Sequence, residues 1–402
     1  MLKIQEYIGL FGSISEANHY LATNLHLDIY EDILQIDNYE MEDVYVYNRT
    51  VKSPKNDPIV QEANGLILNE KAEIVSMPFK RMFTPSDPQA KSIDWENAKA
   101  QMRYDGTLVV LYNYKGNWFL QTKYRANADV KMRNSQVSVR MAVIEILKTM
   151  FNQLTPYAPF SNYPCKDLCY IFELLSPYNQ YITPYHDGNL VLLSIFDKSK
   201  IVWMSDSWVD SWVSNYCNVF RFMRPREYCV SSLKEVMDLT AYQEWYEKGF
   251  IVKDYWDNCM KVENPNYKAL EKLVKVKGHI SPKVFAKLIL NGDGARLKAF
   301  YPNLANIVNM FHTVIVDTTK IIDKVWKQYK PIENRKTFAS LIRGYPPMAK
   351  AVLFMYRRGQ IDHTEEGLKK LGCKSLTKAT RNVYGRKFFQ ELNKLGREGV
   401  LS

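Results

Sequence analysis

The stretch Arg103-Tyr-Asp-Gly-Thr-Leu-Val109 decides how this sequence is read. Asp105-Gly106 is a turn signal: Asp bonds its own backbone and Gly accepts unusual backbone angles. The apolar run Leu108-Val-Val-Leu-Tyr112 follows at once, so the pair opens a strand. Upstream stand Ala63-Asn-Gly-Leu-Ile67 and Val75-Ser-Met-Pro-Phe-Lys-Arg-Met-Phe83. Downstream stand Gln121-Thr-Lys123, Phe172-Glu-Leu-Leu-Ser-Pro-Tyr-Asn179, Lys248-Gly-Phe-Ile-Val252 and Met260-Lys-Val-Glu263. Short β-rich runs recur from about Val44 to Asp254, among them Gly65–Leu68, Trp118–Gln121, Cys169–Leu174, Leu190–Ser194 and Phe250–Val252. Helical patterns at 135–153 and 232–248 interrupt them, and residues 1–40 read as amphipathic helix through Ile4, Ile8, Leu10 and Phe11. From Lys275 the strand pattern fades. Residues 281–290, 304–329, 335–343, 348–358, 365–371 and 377–395 read as helices, punctuated by Pro346-Pro347 and Gly359. The expected fold class is α+β: a mixed body over 1–274 with antiparallel sheets, then an all-helical domain over 275–402.

Charge follows the same division. The 402 residues carry a net charge of +11. Residues 275–402 hold 25 Lys and Arg against 9 Asp and Glu, whereas the first 274 hold 29 against 34. A basic tail on a slightly acidic body calls for a polyanion partner, RNA or DNA being the usual one. Lys369, Lys370, Lys374, Lys378, Arg381, Arg386 and Lys387 form the densest cluster. On helices they would line up against a phosphate backbone; solvated helix faces are the plainer alternative.

Composition excludes several classes. With 46% hydrophobic and 13% aromatic residues the chain is not disordered. Only Cys165 and Cys169 of the six cysteines are close, and no second pair completes a zinc site. The histidines form no ligand spacing. No apolar run approaches the roughly 18 residues of a membrane span, and the first residues are not a signal peptide. These features predict a soluble, cytoplasmic chain with reduced thiols and no membrane partner.

The order and spacing of the quoted segments resemble the covalent nucleotidyltransferases, and specifically the RNA ligase 1 family of T-even bacteriophages. The resemblance extends into the tail through Leu290-Asn-Gly-Asp-Gly-Ala-Arg-Leu-Lys-Ala-Phe-Tyr301 and Asn334-Arg-Lys-Thr-Phe338. It implies ATP in a cleft between sheets, a lysine that captures AMP as a phosphoramidate, Mg2+, and transfer of AMP to an RNA 5′-phosphate before a 3′-hydroxyl seals the strand. The implied substrate is RNA, including tRNA with a broken anticodon loop, and the implied setting is an infected cell.

Carried over position by position, the resemblance places Asp105 and Gly106 on the family's Asp-Gly and Lys123 beside the nucleotide. Glu173 falls on the strand carboxylate near the ribose or the metal, and Lys261 near the triphosphate. The remaining positions depart. Arg103 stands where the family has its nucleophilic lysine. A guanidinium keeps its proton and delocalises its lone pair, so it grips phosphate but does not form the adduct. Lys99 is about 13 Å away along an extended chain and cannot take over. Asn64 and Gln180 replace arginines, Lys248 replaces a glutamate, and Glu263 replaces a lysine. Lys248 and Glu263 form a charge swap and could pair with each other. At 4 Å and an effective dielectric near 20, one unit-charge interaction is worth roughly 4 kcal/mol, so turning attraction into repulsion shifts the rate by several powers of ten. Five changes in one pocket predict a degenerate ligase that binds RNA or nucleotide without lysyl-AMP. The alternatives are an active ATP-dependent RNA ligase of altered chemistry, a variant at position 103, or a scaffold that kept only the fold.

Overall fold

The computed structural model describes all residues except 133–134, 153–156, 162–165, 180–181, 184, 219, 245, 257, 275–281, 301 and 399–402. Two compact units emerge, Met1–Asn264 and Pro265–Ser402. The packing boundary therefore falls ahead of the charge change at Lys275.

The first unit holds three antiparallel sheets, giving the mixed α+β class. β1 (Leu27–Gln35), β2 (Met41–Arg49), β3 (Asn64–Asn69) and β4 (Ile74–Ser76) form one sheet in chain order. β5 (Lys99–Met102) belongs to another. The central sheet takes β6 (Thr107–Tyr114), β7 (Asn117–Thr122), β8 (Leu168–Leu175), β9 (Asn189–Asp197) and β10 (Val202–Trp203) in the order β10-β9-β8-β6-β7. β11 (Glu227–Cys229), β12 (Gly249–Lys253) and β13 (Cys259–Glu263) complete the third sheet in the order β11-β5-β12-β13.

The central sheet is covered on both faces, which explains its uninterrupted apolar runs. Along β6 the side chains alternate: Val110 and Tyr112 join the core shared with the first sheet, while Val109 and Leu111 join the core beneath helices Val139–Phe151 and Asp206–Asn215. Ala100, Phe250, Val252 and Val262 of the third sheet pack with Val236 of helix Leu233–Tyr242.

Two sequence expectations fail here. Residues 1–40 are not one helix: Lys3–Ile8 and Ile14–Asn24 are helical, but Leu27–Gln35 is β1, paired residue for residue with β2. β1 is an edge strand burying Leu27 and Leu34, so its apolar positions are too sparse to reveal the two-residue period. Leu10, expected on the buried helix face, is 78% exposed. The helix expected over 232–248 ends at Tyr242, which leaves Lys248 at the mouth of β12.

The second unit is helical throughout its described residues. The helices are Pro265–Val274, Pro282–Leu290, Gly294–Phe300, Ala305–Tyr329, Arg335–Leu341, Pro347–Arg357, Thr364–Tyr384 and Arg386–Glu398. Ile307, Phe311, Val314, Ile322 and Val325 recur along one face of Ala305–Tyr329 at helical spacing and bury it. Among the described residues no helix is long and apolar enough to cross a membrane.

Candidate functional site

The decisive stretch is where the chain crosses between sheets. β5 lies in the third sheet and β6 in the central one, and residues 103–106 make the passage. Two backbone bonds pin it. The Arg103 N–H donates to the Gly249 carbonyl at 2.9 Å, and the Gly106 N–H donates to a Glu173 carboxylate oxygen at 2.9 Å. Glycine is required at 106 by proximity, since a Cβ there would sit 2.3 Å from the Leu174 carbonyl oxygen. Gly249 needs both room and angle: its φ is +112°, and a Cβ would meet the Val262 oxygen at 2.2 Å.

Asp105 is buried behind the crossing. One carboxylate oxygen accepts the Ile182 and Thr183 N–H groups at 2.8 and 3.1 Å, and Lys248 Nζ lies 3.6 Å from the other. The Asp105 N–H donates to the Tyr185 hydroxyl at 3.1 Å. Glu173, on β8 opposite Leu108, is a carboxylate under strain. Burial pushes its pKa above the usual range, against the Lys248 charge, the Gly106 N–H and the Arg103 charge.

The crossing floors a cleft of about 340 Å³. Six of its lining side chains are cationic, Arg49, Lys80, Arg103, Lys248, Lys253 and Lys261, against the single carboxylate of Glu173. Arg103 is half-buried, and its Nη1 is a buried nitrogen with no hydrogen-bond partner among the described residues. An orphaned guanidinium nitrogen among other cations is costly unless an anion arrives to meet it. The lining therefore suits a polyphosphate. It does not suit a metal held by the protein. Glu173 is the lone lining carboxylate and already accepts the Gly106 N–H, and among the described residues no group of three or more His, Cys, Asp or Glu could hold a metal.

The expected site residues sort themselves around this cleft. Arg103, Gly106, Glu173, Lys248, Lys261 and Asn64 line it. Lys123 is not among the lining residues. It stands beside them, with burial and then the Arg49 charge holding its pKa below the ordinary value, and its ammonium lies 5.2 Å from the Tyr124 ring centre. Gln180 lies outside the described residues. Lys248 and Glu263 do not pair: Lys248 turns to Asp105, and Glu263 lies 3.9 Å from Lys261. Lys248 stands next to Gly249, whose carbonyl accepts the Arg103 N–H of the crossing, while Glu263 shares strand β13 and its face with Lys261, two residues away. Asn64 is not simply a missing arginine, since its side-chain oxygen accepts a bond from Arg49 Nη1.

Sequence reasoning missed Arg49, Lys80 and Lys253. Arg49 and Lys253 sit at strand ends outside the quoted segments, and Lys80 lies within Val75–Phe83 but beyond strand β4, where no spacing rule marks it. Lys253 also belongs to a second cluster. Its ammonium lies 3.1 and 3.0 Å from the two Asp206 oxygens, and Arg224 reaches Asp206 at 3.0 Å and Asp210 at 2.7 Å. Burial opposes ionisation of Asp206, but Lys253 and Arg224 outweigh it and hold its pKa below the usual value.

In the helical unit, Lys369 and Lys370 precede, and Lys374, Lys378 and Arg381 follow, a kink at Gly372 within Thr364–Tyr384, and Arg386 and Lys387 open the next helix. Lys369 and Lys370 pair with Glu365 and Glu366 at 3.3 and 2.7 Å. Lys374, Lys378 and Arg381 are exposed and follow one another at four- and three-residue spacing, which puts them on one helix face.

No protein-family model matches the chain. A protein of Autographa californica nuclear polyhedrosis virus, named as a bifunctional polynucleotide kinase/RNA ligase, is 25% identical over 293 residues, covering 69% of this chain. The chain spans 40% of that relative's length. Among solved structures, an archaeal ATP-dependent RNA ligase (form 1) aligns over 97% of this chain and 81% of its own, at 12% identity and a TM-score of 0.46. A Naegleria gruberi RNA ligase mutant with AMP and Mn aligns over 47% of this chain and 56% of its own, at 13% identity and a TM-score of 0.36.

Proposed function

We propose that this chain is an RNA ligase-like protein of the covalent nucleotidyltransferase kind, similar to phage RNA ligase 1. It takes a nucleoside triphosphate into the cation-lined cleft and RNA onto its basic helical unit, and it does not store AMP on residue 103. One observation carries the reading: Arg103 holds the motif position, with a buried Nη1 that has no partner among the described residues, in a cleft whose described lining has six cations and one carboxylate. That side chain binds phosphate and does not attack it. The ordered motifs from Asn64 to Glu263 and the viral relative support the RNA ligase kinship. A protein of this kind competes for or shields RNA ends, broken tRNA among them.

The test is mass spectrometry of the intact protein after incubation with ATP and Mg2+. No covalent AMP is expected, and Arg103→Lys alone restores little, because Lys248 and Glu263 still differ from the family pattern. A stoichiometric adduct on the unaltered chain overturns the reading. A second reading, a working ligase of altered chemistry, has one observation in its favour: Lys248 puts a primary amine in the same cleft, 3.6 Å from Asp105. An adduct mapped to Lys248, or sealing of RNA ends already carrying AMP, would favour it. Deleting residues 275–402 removes most RNA affinity under either reading; undiminished binding by the remaining body would refute the role given to the helical unit.

A further inference from the structure

We infer that Arg49, held in place by Asn64, is a phosphate-binding residue of the cleft. The guanidinium that position 64 lacks is supplied by the neighbouring strand. This rests on the nucleotide reading of the cleft and deepens it.

The local geometry is specific. Arg49 ends β2, where the pairing with β3 slips between Tyr47 and Asn48, so that Asn48 faces Asn64. The Arg49 N–H donates to the Ala63 carbonyl at 2.8 Å, which fixes the backbone at the cleft wall. The Asn64 amide is then divided between two tasks. Its Nδ2 donates to the Phe79 carbonyl at 2.8 Å, and its Oδ1 accepts from Arg49 Nη1. With Nδ2 committed to Phe79, only the oxygen can face Arg49. The result is a guanidinium held by a neutral acceptor at the edge of the cleft that Arg103, Lys248 and Lys261 also line.

A neutral anchor leaves the charge of Arg49 unbalanced. Burial, and then the Arg81 charge, pull its pKa below the ordinary arginine value, and Arg49 in turn depresses Lys123. Among the described residues no carboxylate lies within ion-pair distance of Arg49. A half-buried guanidinium, crowded by two cations and tethered by an amide, gains most from a dianionic phosphate that uses its remaining donors. An aspartate at 64 would have neutralised it, whereas asparagine positions it and leaves it available.

Phosphate could reach Arg49 from a nucleotide or from a 5′-phosphorylated RNA end, and the two are separable. Binding is measured with the full chain for ATP, tripolyphosphate, adenosine and a 5′-phosphorylated oligoribonucleotide. Arg49→Met is expected to weaken ATP and tripolyphosphate at least about tenfold, the worth of one charge-assisted bond, and to leave adenosine nearly unchanged. Asn64→Leu should match it, because the anchor is lost. The exchange Arg49→Asn with Asn64→Arg should recover most of the ATP affinity by bringing the guanidinium in from β3. A loss confined to the RNA end, with ATP unaffected, overturns the nucleotide assignment. Wild-type binding of both ATP and the 5′-phosphorylated RNA by a folded Arg49→Met protein overturns the inference while the nucleotide reading stands. Failure of the unaltered chain to bind ATP fells both. If Arg49→Met does not fold, Arg49→Lys decides, since an ammonium on a different stem loses the forked contact and should still weaken tripolyphosphate.

Discussion

Two groups of cations in the first unit share Lys253 as a border and differ in how they are balanced. Around Asp206, Lys253 and Arg224 meet carboxylates at 2.7–3.1 Å, and Arg224 also donates to the Leu192 and Leu193 carbonyls. In the cleft, Arg103 leaves a buried nitrogen without a partner among the described residues, and Arg49 is tethered by an amide. The paired group ties helix Asp206–Asn215 to β9 and β12; Arg103 and Arg49 face a cavity. The helical unit repeats the contrast across the Gly372 kink: Lys369 and Lys370 before it have glutamates, and Lys374, Lys378 and Arg381 after it follow on a common face. Balance within the chain marks structural charge, and imbalance marks charge that waits for a partner.

The largest effect should come from breaking the balanced group. Asp206→Ala leaves Arg224 and Lys253 largely buried without their shared carboxylate and should cost about 3–5 kcal/mol of stability, read from urea unfolding. Because Asp206 has a depressed pKa, its contribution is complete above its ordinary value of 3.8 and lost as pH falls through the folded value. The opposite is expected of Arg103→Met. Unfolding stability should hold or rise, while ATP affinity falls by about 1–3 kcal/mol; a large loss of stability would place Arg103 with the structural group.

Smaller effects sharpen the contrast in the tail. Replacing Lys374, Lys378 and Arg381 with alanine should lower the salt slope of RNA binding by about two, near 0.7 per contact to a single strand. The pair Lys369→Ala and Lys370→Ala should change it less, because those lysines already face glutamates. The smallest effect concerns Glu173. Its pKa is raised by burial, so its ionised form is a burden at neutral pH. Glu173→Gln keeps an acceptor for the Gly106 N–H and should raise the melting temperature by a few degrees near pH 7.5. That gain should vanish below the ordinary carboxyl value of 4.5, where Glu173 carries its proton.

Much of the fold was legible because the central sheet is buried on both faces, so β6, β8 and β9 read as apolar runs between turns. β1 was not, since an edge strand with two buried residues has too little pattern to separate it from the helices before it. The motif residues of the cleft were legible from their order. Their pairing was not: Lys248 lies against Asp105, next to the Gly249 carbonyl that accepts the Arg103 N–H of the crossing, and sequence spacing carries no sign of that. Arg49 escaped notice for a similar reason. It reaches the site across a strand pairing with a slipped register, and pairing joins residues far apart along the chain.

The crossing at residues 103–106 has one more consequence. It is anchored from both sides by main-chain atoms, through Gly249 at one end and through the Gly106 N–H at the other. The path of the chain is thus independent of which side chain position 103 carries. Such a floor behaves as a chassis: its fittings can be exchanged, retiring one chemistry and admitting another, while the vehicle never has to be rebuilt.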